Sequence, residues 1–151
     1  MTAAKERLRN DLSAAMKARD EVRVRTLRMA LTAITNEEVA GAAARELSED
    51  DIVKVLMREE KKRREAAEAY DTGGRPERAE AERAEGEVLR EYLPAQLSDE
   101  EVTELVAATI AETGAADVKA MGQVMKAVTP KVAGRADGKR VSTEVRRQLT
   151  A

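Results

Sequence analysis

The 151-residue chain carries 27 Lys and Arg against 29 Asp and Glu, and it has no Cys, His, Phe or Trp. Without Cys or His there is no disulfide, thiolate nucleophile or cysteine zinc cluster, and no imidazole for serine–histidine chemistry or metal ligation, so any catalysis would rest on carboxylates, Lys, Ser, Thr or Tyr. Tyr70 and Tyr92 are the only aromatic residues, so apolar burial must come from Ala, Leu, Val, Ile and Met, and the cores will be thin.

The first segment places Leu8, Leu12, Ala15 and Met16 at helical spacing, and Val24, Leu27, Leu31 and Ile34 repeat the pattern after a cap at Asp20. The stretch from Gly41 to Arg45 breaks the periodicity. Ser48 followed by Asp51 resembles a capping box with Asp in the usual Glu position, so a third helix is expected from there. It carries Ile52, Val55 and Leu56 and then runs through a nearly all-charged segment to Tyr70. Glu59 to Arg63 and Glu60 to Arg64 are acid-before-base pairs at i,i+4, and this run reads as a solvated face rather than a ligand patch.

Asp71-Thr-Gly-Gly-Arg-Pro76 is a turn, after which a helix from Glu77 ends in the apolar stripe Val88, Leu89, Tyr92 and Leu93, with Gly86 weakening its middle. Ser98-Asp-Glu-Glu101 is a well-formed capping box. The domain boundary is placed just before it, giving an N-terminal helical domain over residues 1–95 and a C-terminal one over 96–151. In the latter, Val102, Leu105, Val106 and Ile110 predict one helix ending near Gly114. Val118, Met121, Val124, Met125 and Val128 predict a second that stops before Pro130. A turn at Gly134–Gly138 precedes a third helix, capped by Ser142 and carrying Val145 and Leu149. No segment alternates as a strand would, so the fold class is all-α, with the second domain a small three-helix bundle.

No apolar run approaches the roughly 20 residues a membrane span needs, and the N-terminus is charged within a few residues, so no membrane partner and a cytoplasmic location are expected. The acid pairs Glu37-Glu38, Glu59-Glu60 and Glu100-Glu101 project about 100° apart on a helix and read as surface charges, not metal ligands. Net charge hides a split in the last third. Residues 98–118 contain six acids and no base, whereas residues 119–151 contain eight bases and two acids. The two segments could pair with each other across the bundle, or the basic one could face an anion. Gly134-Arg-Ala-Asp-Gly138 lacks the GxxxxGK[ST] pattern, so no ATP site is expected.

Four stretches carry a resemblance: Leu27-Arg-Met-Ala-Leu-Thr-Ala-Ile-Thr-Asn-Glu-Glu-Val39, Glu91-Tyr-Leu-Pro-Ala-Gln-Leu-Ser98, Met121-Gly-Gln-Val-Met125 and Gly134-Arg-Ala-Asp-Gly-Lys-Arg-Val141. In order and spacing they resemble the motifs of free-standing GatB/YqeY family proteins. The resemblance implies a helical domain followed by a three-helix domain similar to the tail of the B subunit of glutamine-dependent tRNA amidotransferase. There the tail engages tRNA while a separate, larger domain performs the chemistry. It therefore implies a tRNA- or structured-RNA-binding accessory protein with no catalytic residues, cofactor or metal of its own.

Alternatives are an amidotransferase-associated component, tied to carbon–nitrogen ligase chemistry with glutamine as amide donor through amidotransferase subunits, and a helical protein-interaction module. The turn at Gly134–Arg140 matches the family's loop before the last helix, which makes Arg135, Lys139 and Arg140 the leading candidates for phosphate contact. Lys126, Lys131, Arg146 and Arg147 complete the expected RNA-binding set. Gly122 and Met125 fall in the family's Gly-x-Val-Met-x stretch, where the glycine is expected to allow close helix approach, and Gly134 and Gly138 frame the loop. With so few aromatics, recognition would rest on RNA shape and backbone.

Overall fold

In a computed structural model, residues 2–151 are described, and the chain divides into two compact units, one ending at Leu93 and the other spanning Pro94–Ala151. The described residues form seven α-helices: α1 (Ala3–Ala18), α2 (Glu21–Glu38), α3 (Glu49–Thr72), α4 (Pro76–Arg90), α5 (Asp99–Thr113), α6 (Met121–Val132) and α7 (Gly138–Thr150). A short 3-10 turn, Val118–Ala120, precedes α6, and no strand occurs among the described residues. The all-α class expected from the sequence is found.

Local chemistry sets the helix starts. Asp20 accepts from the Arg23 amide at 3.2 Å and Ser48 from the Asp51 amide at 3.2 Å. Ser98 and Glu101 form a reciprocal capping box, and Pro76 opens α4 where its missing N–H costs nothing. Two of these starts share a device not anticipated from periodicity. Leu47 precedes the Ser48 cap and shares a core with Ile52, and Leu97 precedes the Ser98 cap and shares a core with Val102. Both are hydrophobic staples, an apolar residue before the cap packing on one in the first turn.

In the first unit α3 and α4 form an antiparallel pair, against which α1 and α2 pack over Leu8, Leu27, Ile34, Leu47, Ile52, Leu56 and Leu89. The charged run of α3 is not wholly solvated. Arg63 is 5% exposed and Ala67 is 2% exposed, because α4 packs along this face. Both expected i,i+4 pairs form, Glu59 with Arg63 at 3.0 Å and Glu60 with Arg64 at 3.7 Å. Glu59 and Glu60 are accordingly half-buried rather than free surface charges, and Glu60 also holds Arg90 of α4 at 2.9 Å. Burial opposes the charge on Glu59, but hydrogen bonds from Lys62 and Arg63 outweigh it and hold the carboxyl below its ordinary pKa. Met16, expected in a core stripe, is 49% exposed.

The unit ends in a polar clasp. Tyr92 donates to Asp11, Arg23 donates to the Tyr92 hydroxyl at 3.3 Å, and the Arg7 guanidinium lies 4.4 Å from the Tyr92 ring centre. Arg23 also pairs with Glu91 at 2.6 Å. These contacts tie the residues after α4 back to α1 and α2, where no regular helix would hold them.

The second unit is a three-helix bundle in which α5, α6 and α7 each pack on the other two. Its core is built largely from valine: Val102, Val106, Val124, Val128, Val132, Val141 and Val145, closed by Leu97, Ala136 and Leu149. Two boundaries differ from expectation. Pro130 lies inside α6, which continues to Val132. The proline falls in the last turn and removes one hydrogen bond there, beside the exposed Lys126, so a short continuation survives. The last helix starts at Gly138, capped by Asp137 accepting from the Lys139 amide at 3.2 Å. Ser142 instead lies within α7 and donates back to the Lys139 carbonyl at 2.9 Å.

Candidate nucleic-acid interface

The loop between α6 and α7 is short and tied down. Gly134 has φ of 73°, a left-handed conformation that favours glycine, and its carbonyl accepts from Gln96 at 2.9 Å. Arg135 accepts at its carbonyl from the Leu97 amide at 2.8 Å, and its Nε donates to the Ala95 carbonyl at 3.1 Å. Arg140, in the first turn of α7, donates to the Leu97 carbonyl at 3.1 Å and pairs with Asp99 at 2.5 Å, while its buried Nε has no partner. Two leading phosphate candidates therefore fasten the segment 95–99 to the bundle. Lys139, the third, is exposed at the start of α7, in a depression that it shares with Asp99, Asp137 and Glu144.

Other bases expected in the RNA-binding set are also engaged. Lys131 reaches across to α5, where it pairs with Glu112 at 2.5 Å and donates to Thr109 at 3.2 Å. Arg147 grips Glu144 through Nε, 3.0 Å from each carboxylate oxygen. Hydrogen bonds from Arg147 and then Gln148 hold the Glu144 carboxyl down at about 2. Part of the charge split is thus resolved by pairing across the bundle, one of the two readings open from sequence.

The remaining bases lie along α6 and its neighbour. From Val118 to Val132 the chain has Lys119, Lys126 and Lys131 and no acidic residue. Arg146 of α7 lies against the start of α6, its Nη2 3.9 Å from the Met121 sulfur, and the 3-10 turn bearing Lys119 also packs on α7. Lys119, Lys126 and Arg146 are all exposed. No ion pair joins them to a carboxylate among the described residues, where the second unit's pairs are those of Lys131, Arg140 and Arg147.

At this end α6 has no side-chain cap of its own but continues from the 3-10 turn, which Asp117 caps by accepting from the Lys119 amide at 3.0 Å. A Cβ at Gly122 would meet nothing within 4 Å, so the close helix approach expected at this glycine is absent. It instead leaves the backbone of the first turn open beside Arg146. Gly138 likewise borders open space. Met125, half-buried, packs on the core as its apolar role requires.

Lys119 is not in the set expected from the sequence, although it lies with Lys126 in the acid-free run that begins at Val118. No group of three or more acidic side chains is placed to hold a metal ion among the described residues. No described helix is long and apolar enough to cross a membrane.

Comparison with known proteins adds family membership. The chain is 30% identical over 129 residues to altered inheritance of mitochondria protein 41, mitochondrial, of Clavispora lusitaniae, an alignment covering 83% of this chain and 74% of that protein. Residues 5–149 match the family described as Yqey-like protein, nearly the whole length. The chain belongs to the YqeY-like protein family.

Proposed function

We propose that this protein is an RNA-binding accessory factor for tRNA or a similarly structured RNA, acting without catalytic residues of its own. The observation that carries the reading is the group of exposed bases along α6, whose run from Val118 to Val132 holds no acid, where Lys119 and Arg146 flank an open glycine at the helix start and Lys126 lies one turn beyond Gly122. The positive end of the helix dipole attracts a phosphate, and flanking Lys and Arg add charge that strengthens that attraction. The likeness of the sequence motifs to the amidotransferase B-subunit tail supplies the class of RNA. Backbone contacts of this kind position a nucleic acid without reading its bases, so selectivity would follow RNA shape.

Fluorescence anisotropy of labelled bulk tRNA titrated with the full chain, with an RNA hairpin of matched charge as competitor, tests the proposal. Salt-sensitive binding that the hairpin competes for poorly is expected. Absence of binding at low salt would discard it.

A further inference from the structure

Helix α2 uses two of its faces. One buries Thr26, Leu27, Ala30 and Ile34 in the core of the first unit. The other, recurring every three or four residues through Val24, Arg28, Met29, Thr32, Ala33 and Asn36, lines two depressions of about 580 and 630 Å³ that meet at Arg28 and Met29. The far wall of the larger one is α3, through Val55, Arg58 and Lys62. The face has the periodicity of a buried helix surface, yet its Met29 is 37% exposed, and Met16 of α1, beside Arg28, is 49% exposed.

Shape, length and charge narrow what can cover it. The floor is apolar and small, from Met29, Ala33 and Val55, with room for a backbone to come close. Met29 rests on the buried Arg63, whose Nη2 lies 3.4 Å from its sulfur, and Met16 lies 3.9 Å from Arg28. Methionine adapts its shape to an incoming apolar side chain. From Val24 to Glu37 the lining rises about 20 Å along α2, the length of a helix of between three and four turns.

The walls hold five bases, Arg19, Arg25, Arg28, Arg58 and Lys62, against three acids, Glu21, Glu37 and Glu59. Over residues 1–93 the balance is reversed, 19 bases to 21 acids. Arg58 is neutralised by Glu37 at 3.1 Å, Lys62 by Glu59 at 2.9 Å and Arg25 by Glu85 at 3.0 Å. Arg19 and Arg28 have no such carboxylate partner among the described residues, nor has Glu21 a basic one, so the surplus is positive, with Arg28 where the two depressions meet and Arg19 in the smaller. A phosphate backbone would lie over an apolar floor and beside Glu37 and Glu59, which suits it poorly.

We propose that this groove docks an acidic amphipathic helix of a partner protein, with its apolar stripe over Met29, Ala33 and Val55 and its carboxylates at Arg19 and Arg28. This is helix-in-groove recognition, with the partner's sign set by the unpaired arginines. It is independent of RNA binding by the second unit.

The test uses the full chain with labelled methionine methyls and two designed helical peptides of about 18 residues, sharing one leucine stripe but flanked by Glu in one and Lys in the other. The Glu peptide is expected to move the Met16 and Met29 methyl signals and not those of Met121 and Met125, with the Lys peptide binding at least about tenfold more weakly. Arg19→Glu with Arg28→Glu should weaken the Glu peptide by about tenfold or more. Arg28→Gln, which keeps the stem, gives a smaller loss in the same direction if the double variant does not fold. Equal binding of both peptides, unmoved Met16 and Met29 signals, affinity unchanged by these variants, or movement of the same signals by an RNA hairpin would each overturn the proposal.

Discussion

Arg140 donates to the carbonyl of Leu97 at 3.1 Å, across 43 positions of sequence, and so fastens the segment leading into α5 to the first turn of α7. This is architectural work for a residue that the motif reading placed on a phosphate. Arg140→Ala should therefore destabilise the second unit by about 1–2 kcal/mol, measured by urea unfolding followed by circular dichroism. A loss of RNA affinity with unchanged stability would instead return Arg140 to the binding face.

Asp137, not Ser142, caps α7. Asp137→Ala should cost about 1 kcal/mol and Ser142→Ala close to nothing. Urea midpoints of the two variants decide between them, and the reverse order would move the start of the helix.

Tyr92 is held in its neutral form by burial and then by its hydrogen bond to Asp11, so its pKa is raised from the ordinary value of 10.0. A raised folded pKa stabilises the fold below the unfolded value, and that contribution is lost as pH rises above it. The first unit should weaken progressively as pH rises beyond about 10, the unfolded value. Tyr92→Phe, which lacks the hydroxyl, should be less stable than the parent near pH 9, and the gap should close on the alkaline side.

Gly86 lies inside α4 against Arg63, yet a Cβ there would meet Arg63 Cβ at 3.9 Å and Arg90 Nη1 at 3.6 Å, ordinary contact distances. Gly86→Ala should stabilise the first unit by up to about 1 kcal/mol, the helix-propensity difference. A lower midpoint would show that α3 and α4 need a closer approach than these distances indicate.

The helices were legible where one strong local signal governed them. Ser98-Asp-Glu-Glu101 fixed the start of α5, and the apolar spacing of Val102, Val106, Val124 and Val128 marked core faces. Two features were decided by tertiary context. Arg63 reads as surface in a run of charge but is buried because α4 covers it. Ser142 is as good a capping residue as Asp137, and only the packing of Val141 puts the helix start ahead of it.

The basic cluster was visible, but its division was not. Sequence spacing cannot tell that Lys131 folds across to Glu112 while Arg146 rests on Met121. Ion pairing between helices, rather than composition, selects which bases remain for a ligand.

The salt dependence of tRNA binding, compared between the full chain and Lys126→Glu with Arg146→Glu, probes the RNA interface most directly. The expected result is a steep negative slope of log affinity against log salt, reduced by about 2 in the double variant as two phosphate contacts are lost, with helical content unchanged. An unchanged slope and affinity in that variant, with its fold intact, would contradict an RNA interface at the start of α6.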